Sequence, residues 1–374
     1  MLTSEELNKI LDLFVDLYSN GIKQLDKNWY DLMGLTVGGS EIAAIMGLNP
    51  FLSFYNVVEN KINICNGIKQ PHAENLSCWW GNLFENIIIK HIEIDIGNKV
   101  KGNNICIQKY EGHRNSPDGY IVANFFKKDG QFHLWTTDLP NNIKKYPIIL
   151  LLELKCPITR RITGDIPKYY KPQVLSGLSV SPIAFKGLFV DAVFKKCSID
   201  QLNDSPYYDE IFHKRTLKHL YPISWGSVSI YVYQNKDLTN INKIYESHFN
   251  KKIENNTFSE FIDLGKASNK IFTEIMELIS NKTLFVSTTT VCFSDGRGDK
   301  ESVNLQPKTN CFLIAVLPWK LFDLTYVFVD REPNFLESVY PRIQEVHKLV
   351  KENLNNPNVL ETLRIRDVYK DIYE

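Results

Sequence analysis

The sequence predicts an α/β fold in which a mixed central sheet is flanked by helices. Segments with apolar residues at strand spacing lie between segments with apolar residues at helical spacing. The most apolar strand candidate is residues 148–156, which we expect to be the buried centre of the sheet. With 374 residues, of which 44% are hydrophobic and 23% charged, the chain can hold one large domain or two small ones.

The predicted elements follow one another from the amino terminus. A helix opens at the capping box Thr3-Ser4-Glu5-Glu6, and Ser40 is predicted as the N-cap of a short helix that Gly47 ends. The later elements are a helix at 79–96, strands at 105–109, 119–126, 131–135 and 148–156, a helix at 169–178, a strand at 184–194, a helix at 259–280, a strand at 312–329 and a helix at 341–353. We expect an N-terminal helix over 1–27, a core over 28–240 and a C-terminal α/β extension over 241–374 that packs on the core.

Charge and cysteine usage restrict the classes of protein. The 43 basic and 43 acidic residues cancel, so any grip on a nucleic acid must be a local patch. The 7 cysteines are scattered without a Cys-x-x-Cys pair, which disfavours a zinc site and favours reduced thiols inside a cell. No secretory signal and no apolar run near ~20 residues is present, so no membrane span is expected.

The chemistry-bearing motif lies inside the most apolar strand. Glu153 and Lys155 are two residues apart, so they share one face of that strand. Burying two charges there is expensive unless something compensates them, and a bound divalent cation is one such compensation. Asp118, in the turn Ser116-Pro117-Asp118-Gly119, supplies a second acid. An acid together with Glu-x-Lys on a strand is typical of a metal-dependent nuclease.

Five motifs in one order carry a family resemblance. They are Gly38-Gly39-Ser40, the Trp80–Asn86 segment with Glu85, Asn115-Ser116-Pro117-Asp118-Gly119, Leu152-Glu153-Leu154-Lys155-Cys156-Pro157 and the Tyr170–Leu178 segment with Gln173. Over roughly residues 28 to 200 the chain resembles the phage lambda exonuclease or YqaJ-type viral recombinase family, in the branch of large nucleocytoplasmic DNA viruses. The resemblance implies a restriction-endonuclease-like, PD-(D/E)XK core with N- and C-terminal helical additions.

Three carboxylates and one backbone carbonyl are the predicted metal ligands. Asp118 and Glu153 are the expected primary ligands of Mg²⁺, for which Mn²⁺ is a possible substitute. The resemblance implies the backbone carbonyl of Leu154 as a further ligand. It also implies Glu85 as a second-metal or water-mediated ligand, and the alternative is an ordinary solvated helix glutamate.

Two further residues are predicted to act in catalysis. Lys155 would orient the attacking water, lower its pKa, or stabilise negative charge that develops on the phosphate. The resemblance implies that Gln173 holds water or the scissile phosphate.

Contacts to DNA are predicted at two places. Ser40 at a helix N-terminus suits the terminal 5′-phosphate of DNA, although it can also simply cap the helix. Relatives carry an arginine seven residues before this serine, where this chain has Met33. The second place is a basic run that either forms a wall of a DNA channel or is a solvated face; it comprises Arg160, Arg161, Lys168 and Lys171.

These residues together predict an Mg²⁺-dependent deoxyribonuclease. We expect a 5′-to-3′ exonuclease on linear double-stranded DNA that leaves 3′ overhangs for viral recombination, repair or genome processing. An endonuclease of the same fold and a catalytically idle DNA-end-binding module are the alternatives. The resemblance further implies a single-strand annealing protein as partner, a homotrimer, and action in the host cytoplasm or virion.

Overall fold

The structure is a computed structural model, and it describes most of the chain. The described residues are 2–19, 21, 27–68, 76–108, 111–158, 160, 162–204, 222–252, 258, 260–294, 296, 298 and 308–355. Within them the fold is mixed α/β, with a mixed sheet flanked by helices as the sequence predicts. No helix in the described ranges is long and apolar enough to cross a membrane.

Helices and strands are numbered in chain order. The helices are α1 (Ser4–Ser19), α2 (Lys27–Leu35), α3 (Ile42–Ile45), α4 (Phe54–Cys65), α5 (Leu76–Ile96), α6 (Lys171–Val180), α7 (Ile199–Asp204), α8 (Thr239–Phe249), α9 (Asn269–Ser280) and α10 (Phe335–Asn353). The strands are β1 (Val37–Gly38), β2 (His113–Arg114), β3 (Gly119–Lys128), β4 (Gln131–Leu134), β5 (Tyr146–Lys155), β6 (Lys186–Lys196), β7 (Ser224–Tyr233), β8 (Ile262–Asp263), β9 (Phe285–Phe293) and β10 (Cys311–Asp330). One turn of 3-10 helix covers Gly39–Glu41.

A single large sheet runs through the described part of the chain. Its strand order is β4-β3-β5-β6-β10-β7-β9, with β8 paired to β10 off this path. Strand β5 is antiparallel to β3 and parallel to β6, which makes the sheet mixed. The long strand β10 lies between β6 and β7, so the sheet spans the predicted boundary at residue 240. The predicted division into three regions stays a prediction.

The apolar run of β5 is buried because both of its faces are covered. Leu150 and Leu152 pack with α5 in one core, whereas Ile149 and Leu151 pack with α1, α3, α4, α6 and α10 in the other. Side chains alternate along a strand, so Glu153 follows Leu151 on the second face. The strand therefore delivers its one buried acid toward the side of the sheet that carries α6.

Two local predictions are confirmed by their hydrogen bonds and dihedral angles. At the start of α1, the Thr3 amide donates to Glu6 Oε2 at 2.7 Å and the Glu6 amide donates to Thr3 Oγ1 at 3.2 Å, which is a capping box. Strands β3 and β4, predicted at 119–126 and 131–135, form a hairpin whose turn takes positive φ at Asp129 (49°) and Gly130 (82°).

Three predicted elements are wrong in extent. Residues 105–108 form no regular strand and contribute an isolated bridge between Ile107 and Asn115, while residue 109 lies outside the described residues. The helix predicted from 259 begins only at α9, because Ile262–Asp263 pairs with β10 and Ser268 caps the helix by accepting from the Ile271 amide at 3.3 Å. Helix α10 starts ahead of Pro341, which lies inside the helix and does not open it.

Candidate active site

Two acids meet where β3 and β5 pair. The Asp118 amide donates to the Leu152 carbonyl at 3.2 Å, and Asp118 Oδ2 accepts from the Leu154 amide at 2.6 Å. The register pairs Gly119 with Leu152, so Asp118 stands across from Glu153. Like charges at facing strand positions destabilise a sheet. The two carboxylates therefore call for a compensating cation.

The turn before β3 aims Asp118 at this point. Gly119 has φ 145°, and a Cβ built on it would lie 2.6 Å from Val100 Cγ1. Only glycine has no Cβ to meet Val100, and it adopts positive φ without strain. Gly119 is thus required by the backbone at the position next to Asp118.

Lys155 partly supplies the positive charge. Its Nζ forms an ion pair with Glu153 Oε1, and the lysine side chain is 22% exposed while that of Glu153 is 2% exposed. The Nζ also lies 5.0 Å from the centre of the Tyr170 ring. The lysine head therefore stands between the buried acids and solvent.

The pKa values show that one lysine does not balance the acids. Burial, and then the Asp118 charge, raise the pKa of Glu153 to about 7, against the opposing effect of Lys155. Burial and the Asp118 charge also raise the pKa of Glu85 to about 7, and burial raises that of Asp118. Burial alone would lower the pKa of Lys155, but Glu153 and Asp118 outweigh it, so this pKa is raised. Glu85 on α5 thus belongs to the same electrostatic cluster.

The carboxylates of this cluster are possible ligands for a metal ion. In the described part of the chain, no three His, Cys, Asp or Glu side chains stand close enough together to hold a metal ion as they are. The donor set nevertheless fits a hard divalent cation in chemistry, because the carboxylates of Asp118, Glu153 and Glu85 are oxygen ligands that share one ammonium. We call Glu85, Asp118, Glu153 and Lys155 the acid–lysine centre.

Helix α6 adjoins the acid–lysine centre through Tyr170. Tyr170 is the N-cap of α6, and Pro172 occupies its first turn, where a missing amide hydrogen does no harm. Gln173 is half-buried in that same turn. Its proposed contact with water or phosphate stays a prediction.

Ser40 lies on a short turn that packs against α6, and the prediction that it caps a helix is wrong. It sits inside the 3-10 turn with Gly38 as N-cap, because Glu41 Oε2 accepts from the Gly38 amide at 2.7 Å. Gly47 ends α3 as predicted, with φ 71°. The Ser40 side chain is exposed and free to face a ligand.

Buried cations support the Ser40 turn. Lys61 is 1% exposed and donates to Glu41 Oε2 at 2.8 Å and to the Thr36 carbonyl at 2.6 Å. Parallel pairing of β1 with β2 places Gly38 beside Arg114, and a Cβ on Gly38 would be 3.3 Å from Arg114 Cζ. Thus a guanidinium from β2 lies under this turn in a chain that has Met33 where relatives have arginine. No sequence signal pointed to Lys61, and none assigned a role to Arg114.

A buried polar chain joins the same turn to α6. His113 Nδ1 donates to the Val37 carbonyl at 2.9 Å, and Ser176 Oγ donates to His113 Nε2 at 3.0 Å. Asn115 Nδ2 donates to Ser176 Oγ at 3.1 Å. Burial lowers the pKa of His113 to about 4, so the ring is neutral and both nitrogens are satisfied.

The predicted basic wall is only partly free. Arg160 forms two hydrogen bonds with Asp191, at 2.8 and 2.5 Å, and Lys171 Nζ lies 2.7 Å from Glu332. Lys168 is exposed, and Arg161 lies outside the described residues. Two of the four cations are therefore already paired with carboxylates.

Asp191 is a site residue that sequence reasoning missed. It stands opposite Lys155 in the β5–β6 register and is 1% exposed. An acid within the apolar strand 187–194 is the same signal that singled out Glu153, and it could have been found in the same way.

The fold and the site together indicate the class of protein. This is a mixed α/β protein whose central strand ends in a buried acid–lysine centre. Residues 28–184 match the family model described as the YqaJ-like viral recombinase domain, and this segment contains every residue of the centre. This part of the chain is therefore similar to the YqaJ-like viral recombinase domain.

Individual relatives and solved structures are similar to the chain at low identity. A protein of the Badajoz strain of African swine fever virus is 26% identical over 361 residues, which cover 94% of this chain and 93% of that protein. A protein of a Malawi tick isolate of the same virus is 27% identical over 342 residues, 90% of this chain and 88% of that protein. The crystal structure of the alkaline exonuclease LHK-Exo from Laribacter hongkongensis matches with a TM-score of 0.32 and 19% identity, over 45% of this chain and 74% of that one. The LHK-Exo complex with dAMP matches with a TM-score of 0.39 and 11% identity, over 92% and 99% of the two chains.

Proposed function

We propose that the protein is an Mg²⁺-dependent deoxyribonuclease, and more narrowly a 5′-to-3′ exonuclease on linear double-stranded DNA that leaves 3′ overhangs. One observation carries the proposal. Asp118 and Glu153 face each other across β3 and β5, and Lys155 bonds Glu153 from the same strand face. The similarity of residues 28–184 to the viral recombinase domain supports a DNA substrate.

The proposed roles follow from the chemistry of the side chains. Asp118, Glu153 and the Leu154 carbonyl would hold Mg²⁺, with Glu85 as an outer or second ligand, and Mn²⁺ is a possible substitute. Bound Mg²⁺ supplies charge relief on the phosphate and a lowered pKa for bound water. Lys155 could donate to the attacking water or to a phosphate oxygen if the cation took over the charge of its carboxylate partners.

The proposed polarity depends on a separate anion site. Ser40 offers an exposed hydroxyl on a turn whose backbone lies over the Arg114 guanidinium. A buried cation behind exposed donors suits a terminal 5′-phosphate. The annealing partner, the trimer and the place of action in host cytoplasm or virion stay predictions of the family resemblance.

The central experiment compares linear duplex DNA, labelled at one 5′ end, with closed-circular DNA in the presence of Mg²⁺. We expect early release of labelled 5′ mononucleotides from the linear form and no cleavage of circles. Cleavage of circles would favour the endonuclease alternative. Binding of DNA ends with no cleavage of either form would favour the idle binding module.

Substitutions then test the centre. Asp118→Ala and Glu153→Ala should abolish cleavage while DNA binding is retained, and Lys155→Ala should slow it by roughly 10²–10³-fold. The matched controls are Lys186→Ala and Asp330→Asn, an ion pair between β6 and β10 on the far side of the sheet, which should leave the rate unchanged. A Glu153→Ala variant that cleaves at the wild-type rate would contradict the metal assignment.

A further inference from the structure

An aromatic path leads from the surface to the acid–lysine centre. Phe51 is 81% exposed, and its ring meets the Tyr169 ring edge-on with 5.7 Å between centres. The Tyr169 ring lies 4.4 Å from that of Tyr170, and Tyr170 is the ring nearest the Lys155 ammonium. Two consecutive ring–ring contacts and one contact between a ring and an ammonium thus connect solvent to the candidate active site.

Phe51 is displayed by a turn that the sequence makes rigid. The Leu48 amide donates to the Ala43 carbonyl at 2.8 Å and thereby closes the end of α3. Pro50 fixes its own φ, and the Phe51 amide donates to Asn49 Oδ1 at 2.8 Å. A ring held in this way loses little conformational entropy when it binds a ligand.

The inner end of the path carries two cations, Lys155 and Arg160, each of which is paired with a carboxylate. Arg160 Cζ lies 5.5 Å from the centre of the Tyr170 ring and is held there by its two bonds to Asp191. Lys155 approaches the same ring, and an ammonium and a guanidinium have more N–H groups than these carboxylates use, so the remaining ones can donate to a phosphate. An exposed ring at one end and cations at the other match a nucleotide, in which an aromatic base is joined to a phosphate.

We infer that Phe51 and Tyr169 form a stacking platform for an unpaired nucleobase of the strand being cleaved. The proposal rests on the proposed function, because it assumes that the acid–lysine centre receives DNA. The phosphate of that nucleotide lies toward Lys155 and Arg160, and the base stacks on the outer rings. The platform holds the end of the strand while its phosphodiester reaches the centre.

The test measures binding of DNA ends that differ only in the base. Each probe is a fluorescent duplex with a short unpaired 5′ tail, made once with bases and once with abasic residues in the tail. Binding is measured by anisotropy in the Glu153→Gln background, so that the DNA stays intact. We expect Phe51→Ala to weaken binding of the base-containing tail about tenfold and to leave binding of the abasic tail unchanged.

Two variants serve as controls. Phe132→Ala removes another exposed phenylalanine, which lies on the β3–β4 hairpin and meets Tyr146 of β5 edge-on at 5.2 Å. This substitution should change the affinity for neither tail. Phe51→Trp keeps a stacking face and should retain binding of the base-containing tail. Equal weakening on both tails in Phe51→Ala, or no weakening on either, would overturn the platform.

The outcome separates this proposal from the nuclease proposal. Base-dependent binding through Phe51 in a protein that never cleaves DNA would support the platform and contradict the proposed activity. Cleavage of linear DNA with Phe51 irrelevant to binding would support the activity and contradict the platform.

Discussion

His113 shows how one buried side chain makes the stability of this protein depend on pH. The ring is fully buried, and it donates to the Val37 carbonyl and accepts from the Ser176 hydroxyl. Protonation would place a second N–H against Ser176, whose hydroxyl already accepts from Asn115. The Ser176 hydroxyl hydrogen would then lose its acceptor on the ring, so the network is best satisfied by a neutral histidine.

The first prediction follows from the sign of that shift. The folded pKa of about 4 lies below the ordinary value of about 6.5, so the unfolded chain binds the extra proton between these pH values. Stability is fully present above pH ~6.5 and falls as the pH drops toward 4, by on the order of 3 kcal/mol in total. His113→Gln should flatten this part of the profile, measured by urea unfolding between pH 7 and pH 4.5. An unchanged slope in the variant would exclude His113 as the cause.

At the scale of residues, the sequence reveals a charged residue inside an apolar strand. It does not reveal which residue pairs with that charge. Glu153 and Lys155 were recognisable because they interrupt an apolar strand, and the structure brings them to Asp118 and Glu85. Arg160 is different, because its partner Asp191 lies on another strand and no spacing in the sequence connects the two. From the sequence alone, the basic run after β5 therefore resembles a DNA-binding wall. In the folded protein, its first member, Arg160, is paired with Asp191.

At the scale of elements, the C-terminus of α6 depends on Arg331, which follows β10. Its guanidinium donates to the carbonyls of Leu178, Ser181 (2.7 Å) and Ala184 (2.5 Å). The last carbonyls of a helix have no partner within the helix. A cation at this end also interacts favourably with the negative end of the helix dipole. A residue far along the chain thus fixes the helix that carries Gln173.

The second prediction removes this cap. Arg331→Met should lower the free energy of unfolding by about 2–3 kcal/mol, because charged hydrogen bonds to partly buried carbonyls are lost. Arg342→Met is the matched control, since its partner Glu345 is as exposed as Arg342 itself, and it should cost under about 1 kcal/mol. Urea unfolding of both variants gives the comparison, and equal losses would contradict a capping role for Arg331.

Elements with a purely local signal were the predictable ones. The capping box of α1, the turn of the β3–β4 hairpin and the apolar run of β5 each contain their own cause. The 3-10 turn that contains Ser40 has no such local cause, because it depends on Lys61 from α4 and on the pairing of β1 with β2. The start of α9 was misplaced for a similar reason, since the residues before it are drawn into a strand by β10.

At the scale of the whole molecule, β10 ties the two halves of the chain into one sheet. Its second half pairs with β6, and its first half pairs with β7. Strand β6 pairs in parallel with β5, the strand that carries Glu153 and Lys155. The other edge of β6 is covered by β10, a strand from the C-terminal region. Sequence patterns identified both strands but could not give their order, because strand order is set by contacts between distant segments.

The third prediction follows from that order. A chain cut after residue 240 loses β10, which leaves β6 with an open edge along eleven residues that are mostly buried, and leaves β7 without its partners β9 and β10. An exposed apolar edge favours aggregation. We therefore expect the 1–240 fragment to aggregate in size-exclusion chromatography and to lack nuclease activity, whereas the full chain is monodisperse. In the full chain, the amides of β5, β6 and β10 should exchange with solvent in one slow cooperative group, because they share one sheet core. A monodisperse 1–240 fragment that cleaves linear DNA would show instead that the N-terminal region folds alone and that β10 only covers it.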